Sequence, residues 1–126
     1  MTAYTAQSRG PEGFQVVSSG VDGQVVLQLA GELDCDTVPV LRQALDQLCS
    51  RTVPTLVLDL AELQFIDSSG LHELVRALRR QREVGGEVVL RQPSAQTMRV
   101  LEIVGLAPLF RITDAPPQEA WEAWGE

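Results

Sequence analysis

No lysine occurs in this chain: its ten positive charges are all arginines, set against seventeen carboxylates, for a net charge of −7. A balance so acidic, with a pI near 4.6, argues against sequence-independent binding to nucleic acid or to an acidic membrane, because phosphate contacts need a cationic face. Long apolar runs are missing too, so no segment reaches membrane-spanning length. Histidine is limited to His72 and cysteine to Cys35 and Cys49, with no C-x-x-C pair and no histidine at ligand spacing. The usual zinc signatures are therefore excluded, and no metal or other cofactor is expected. Residues 1–10 lack the basic lead and apolar core of a signal peptide, which makes the cytoplasm the expected location, and there the two thiols are expected to be reduced. No G-x-S-x-G elbow, Walker motif or G-x-G-x-x-G loop is present, and His72 lies on the same local segment as Ser68 and Ser69, a poor geometry for a catalytic triad. A hydrolase built on Ser68 or Ser69 is therefore a distant reading.

What is present is one domain's worth of core. The chain has 126 residues, 44% of them hydrophobic, enough for a folded domain without staples or metals. Its organising stretch runs from Thr55 to Leu71. Leu56-Val57-Leu58-Asp59-Leu60 reads as a buried strand. A tight loop is expected next, anchored by Leu63 and Phe65-Ile66, which delivers Asp67-Ser68-Ser69-Gly70 to a helix. In that helix Leu71, Leu74, Val75 and Leu78 form the apolar stripe, while Glu73 and the arginines from Arg76 to Arg82 fall mostly on the other side. Helix starts carry open amides and the positive end of the dipole, so chemistry at Ser68 or Ser69 has an electrostatic reason to be there.

Taken in order, residues 1–12 read as a flexible leader and residues 13–126 as the domain. Phe14–Val17 and Val25–Leu29 flank Asp22-Gly23 and are expected to pair as an antiparallel hairpin. Ala30 to Thr37 reads as a loop, with Asp36 or Thr37 capping a helix whose stripe is Val38, Leu41, Leu45 and Leu48. Gly85-Gly86 stops the next helix, and Glu87–Arg91 is a strand. Ser94 caps a third helix with Met98, Leu101 and Val104 inward, and Leu109–Ile112 forms an edge strand. A last helix begins near Asp114, where Trp121 and Trp124 are read as docking onto the domain. The arginine-rich stretch from Arg76 to Arg91 is read as a solvated face. The fold class is α/β: a mixed sheet of about five strands with about four helices mainly on one side.

Two acidic segments, Gly31-Glu32-Leu33-Asp34 and Asp67-Ser68-Ser69-Gly70, follow strands that would emerge at one end of the sheet if parallel and adjacent. Together with Leu56–Leu60, Phe65-Ile66-Asp67-Ser68-Ser69-Gly70-Leu71 and Gly85-Gly86-Glu87, they resemble the STAS domain of bacterial anti-sigma factor antagonists, from about Phe14 to the C-terminus. Taken alone, the Asp-Ser-Ser-Gly turn favours ordinary helix capping. The full set of matching segments reverses that preference. The resemblance implies a partner-switching protein and not an enzyme. Unphosphorylated, it would bind an anti-sigma factor that is also a serine kinase and so free the sigma factor. The kinase would modify Ser68, and a serine phosphatase of another chain would reverse this. Asp34, Asp67, Ser68, Ser69, Gly70 and Leu71 are the implied partner-binding residues, with Ser69 the expected structural cap. His72 departs from the small residue that the family often has there. The alternative is a STAS-type accessory subunit of a membrane transporter, not controlled by serine phosphorylation.

Overall fold

Apolar residues two apart in three segments, Val25-Leu27-Leu29, Leu56-Leu58-Leu60 and Val88-Leu90, form the helix-facing side of a single sheet. The computed structural model describes residues 3–21, 24–47 and 54–114. In chain order the elements are β1 (Ala3–Arg9), β2 (Gln15–Val21), β3 (Gln24–Leu33), α1 (Val38–Gln47), β4 (Thr55–Ile66), α2 (Ser68–Glu83), β5 (Glu87–Arg91), α3 (Ala95–Ile103) and β6 (Arg111–Thr113). The sheet order is β1-β2-β3-β4-β5-β6. The first three strands are antiparallel, and β3 to β6 run parallel.

The hairpin expected from the sequence is present, with Val21 opposite Gln24; Asp22 and Gly23 themselves lie outside the described residues. So do Leu48, Cys49 and the expected last helix with Trp121 and Trp124. The reading of residues 1–12 as a flexible leader needs correction, because residues 3–9 pair along their length with β2. An edge strand is held by backbone bonds and needs no apolar alternation, so its polar residues gave no signal. A second correction concerns β3 and β4, which continue through the segments read as loops. Between Gln28↔Asp59 and Ala30↔Glu62, and again between Gly31↔Leu63 and Glu32↔Phe65, β4 takes one residue more than β3. Each extra residue exchanges the two faces of the strand. Leu60, Leu63 and Ile66, three apart, therefore all point into the core, a spacing that conceals a strand. At the bulge Gly31 has φ +101, and a Cβ there would stand 3.2 Å from the Phe14 backbone.

The inward residues of α1 (Val38, Leu41, Ala44, Leu45), α2 (Leu71, Leu74, Ala77, Leu78) and α3 (Leu101) join this side of the sheet in one cluster. Each fully buried leucine stabilises the fold by about 1.5–3 kcal/mol. Val104, expected to point inward, is exposed at the C-terminal end of α3. Glu73, expected on the solvated side of α2, is 1% exposed and accepts from Arg42 Nε and Nη2 of α1 at 3.1 and 3.0 Å. Asp46 of α1 in turn receives Arg76 and Arg80 at 2.7 and 2.6 Å. Arg91 is not solvated either: it is buried and bonded to Asp59 at 2.9 Å. The arginine-rich stretch thus ties α1 to α2 and β4 to β5.

Candidate functional site

The parallel pairing of β3 with β4 brings Leu33 beside Ile66, so the segments after both strands leave the same end of the sheet. They are stitched together. The Asp67 N–H donates to the Leu33 carbonyl at 3.1 Å, and α2 begins at the next residue. Asp67 is extended, with φ −109 and ψ −171, and its carboxylate accepts from the Gly70 N–H at 3.1 Å. Asp67 is the cap, not Ser69. A capping side chain must belong to the non-helical residue before the first turn, and Ser69 is already the second helical residue. Gly70 is where helix and strands approach most closely: a Cβ would lie 2.7 Å from Ile66 Cγ1, 2.9 Å from Leu33 Cγ and 3.0 Å from the Leu33 carbonyl oxygen. Only glycine fits without something shifting.

Asp34 folds the other segment. Its carboxylate accepts from the N–H groups of Asp36 and Thr37 at 3.0 and 3.1 Å, while its carbonyl accepts from Val38 N–H at 2.8 Å. The Thr37 hydroxyl donates back to the Glu32 carbonyl at 2.7 Å and accepts from the Asp34 N–H at 2.9 Å. The turn into α1 is therefore organised by the Asp34 carboxylate and the buried Thr37 hydroxyl, where the sequence pointed to simple capping by Asp36 or Thr37. This is the Asx-type geometry that aspartate favours.

Of the residues expected at the site, Ser68 is exposed as the first residue of α2, and Asp34, Asp67 and Ser69 are half-buried around it. Gly70 and Leu71 are buried, and Leu71 belongs to the core cluster. They shape and anchor the surface from beneath instead of lining it. Glu32, Cys35, Asp36, Glu62 and Phe65 are exposed at the same end. Phe65, read from the sequence as an anchor, is 42% exposed beside Glu32 on the neighbouring strand; the second extra residue in β4 turns it away from the helices. That rotation was invisible in the apolar pattern.

The field at this end is negative. Asp36, foremost, then the slight desolvation of the loop and the charges of Asp34 and Asp67, push the exposed Cys35 thiol above its ordinary pKa. The thiol stays protonated at neutral pH, which suits a poor nucleophile. Among the described residues no group of three or more histidine, cysteine or acidic side chains is arranged to hold a metal ion, and no helix is long and apolar enough to cross a membrane. What the geometry offers is an exposed hydroxyl on a helix N-terminus, set on an acidic rim whose turns are tied by hydrogen bonds.

Comparison with known proteins places this arrangement. The STAS domain family model matches residues 15–118. The anti-sigma-B factor antagonist of Listeria monocytogenes is 34% identical over 84 residues, covering 67% of this chain and 74% of the relative. A crystal structure of an anti-sigma factor antagonist from Mycobacterium paratuberculosis superposes with a TM-score of 0.72 at 28% identity, covering 94% of this chain and all of the other. SpoIIAA in its unphosphorylated form gives 0.71 at 26% identity, with coverages of 90% and 98%. The Bacillus SpoIIAA in its phosphorylated form gives 0.69 at 27%, with coverages of 89% and 99%. Parallel β3 and β4, the bulge at Gly31, the cap at Asp67 and the close approach at Gly70 are thus the frame of a member of the STAS domain family, in the group of the anti-sigma factor antagonists.

Proposed function

We propose that this chain is an anti-sigma factor antagonist switched at Ser68. Unphosphorylated, it binds an anti-sigma factor through the end of the sheet that carries Asp34, Asp67, Ser68 and Ser69, and the sigma factor is released. The anti-sigma factor acts as the serine kinase; this chain supplies the hydroxyl and no catalytic group. A serine phosphatase restores the binding form. The observation that carries this reading is the position of Ser68: exposed, first in α2, directly after the Asp67 cap and beside the Asp34 turn. Solved forms of SpoIIAA with and without phosphate support it.

The physics of the switch is electrostatic. A phosphoserine adds about −1.5 to −2 charge at neutral pH. The helix N-terminus offsets part of this inside the domain, by roughly 0.3–1 kcal/mol at an exposed position. Toward a partner already fitted to Asp34 and Asp67 there is no such offset, so the added charge and bulk weaken binding. Phosphopeptide mass spectrometry on the chain from its native host tests the proposal, with Ser68→Ala alongside. Condition-dependent phosphate at Ser68, and a Ser68→Ala chain that captures an ATP-binding kinase whatever the condition, are expected. Lasting absence of phosphate, together with co-purification with membranes, would move the assignment to a transporter-linked module.

A further inference from the structure

Ser68 and His72 are both exposed, one turn apart at the start of α2. Residues four apart on a helix are surface neighbours, with Cβ atoms about 5–6 Å from each other. Helical side chains also lean toward the N-terminus, so the imidazole covers the turn that holds Ser68. Histidine is the side chain whose charge ordinarily changes between about pH 5 and 8, and both of its ring nitrogens donate when it is protonated. We propose that His72 is the cationic partner of a phosphate on Ser68, donating from its ring to a phosphate oxygen and holding the group against α2. This rests on the reading of Ser68 as the modified residue and adds the side chain that receives the phosphate. Protonated, His72 cancels about one unit of the phosphate's charge. The phosphorylated rim therefore repels a partner less in acid than at neutral pH.

The surroundings leave this role to His72. The turn into α1 brings Asp34 and Asp36 to this end, and Asp67 directly precedes Ser68; Glu32 and Glu62 on the strand ends add the same sign. All of these repel a phosphate. The nearer arginines are engaged elsewhere. Arg76 of α2 contacts Asp46 at 2.7 Å and Glu73 at 3.6 Å, and Arg42 of α1 donates to Glu73 at 3.0 Å. Glu73 itself, although next to His72 in sequence, is buried against α1. Arg79 is exposed but lies two turns beyond His72, about 10 Å along the helix axis. Arg9 ends β1 at the same end of the sheet, three strands from β4 and so about 14 Å away. The order of the pair is favourable as well. An anion four residues before a cation is the better arrangement on a helix, and a phosphate carries more charge than a carboxylate.

His72 is the one histidine of the chain, so its ring signals stand alone in a proton spectrum. The test uses the full chain with phosphoserine installed at position 68 during synthesis, its phosphate followed by phosphorus NMR across pH, with His72→Gln and His72→Arg alongside. The second ionisation of a phosphoserine ordinarily falls near pH 6. In the parent chain it is expected at lower pH than in His72→Gln, by about half a unit at low salt. Added salt should narrow the gap, and His72→Arg should restore the parent value. Nuclear Overhauser contacts from the His72 ring to the Ser68 β-protons should accompany the effect. Coincident curves for the parent and His72→Gln would overturn the proposal. So would a gap that His72→Arg leaves unrepaired, since that marks altered packing and not charge. Phosphate installed this way depends on no kinase. Coincident curves would thus leave the Ser68 assignment standing, and absence of phosphate in the native host would leave the pairing standing.

Discussion

At Gly70 a single missing methyl sets the distance between α2 and the two strands beneath it, since a Cβ would fall within 3.0 Å of Ile66 and Leu33. Gly70→Ala is expected to cost about 1–3 kcal/mol through overpacking, read by urea denaturation, and to displace the start of α2. Asp67→Ala removes the cap and is expected to cost about 1 kcal/mol; Ser69→Ala, which removes no cap, should be nearly neutral by the same measurement. Cys35 reports the field. Its raised pKa, due first to Asp36, predicts slow alkylation at neutral pH in a Cys49→Ser background. Asp36→Asn should speed the reaction, and added salt should narrow the difference.

Between elements, two charged contacts behave differently. Asp59 and Arg91 are both buried, so Arg91→Met alone leaves an unpaired carboxylate and is expected to cost about 3–5 kcal/mol. Replacing both by apolar residues should recover most of that loss in chemical denaturation. Asp46, half exposed between Arg76 and Arg80, is held below the ordinary aspartate pKa, first by its Arg80 hydrogen bond and then by the Arg76 charge. A depressed folded-state pKa gives stability that is present above the unfolded value and lost as pH falls through the folded one. Asp46→Asn should therefore be less stable than the parent chain at neutral pH, with the gap closing in acid. None of these partners is adjacent in sequence, and that is why the sequence read the arginines as a solvated face. Periodicity reported the helices well: Leu71, Leu74 and Leu78 lie where the stripe put them. It failed at β4, whose extra residues turn strand alternation into a three-residue spacing, and at β1, which pairs through backbone alone. At the site, motif order put Ser68 at a helix entrance and both acidic turns at one end of the sheet, as the structure has them, while the cap at Asp67 and the exposure of Phe65 depended on rotations that only three dimensions fix.

For the whole molecule, a phosphate at Ser68 is expected to leave the fold intact. Ser68 is exposed and in contact with solvent, and the stitch from Asp67 to Leu33 uses backbone groups that phosphate does not touch. Amide NMR shifts should change around Leu33–Thr37 and the first turn of α2 and match elsewhere; a globally altered spectrum would contradict this. A final consequence follows from the strand order, in which position across the sheet repeats position along the chain from β1 to β6. During synthesis each strand leaves the ribosome when its neighbour is already available, so the sheet can grow from one side without waiting for a distant segment. Loop closures stay short, which favours quick assembly. Among the described strands the last to arrive, β6, is also the shortest, and until it docks the growing edge is β5, which carries the buried Arg91.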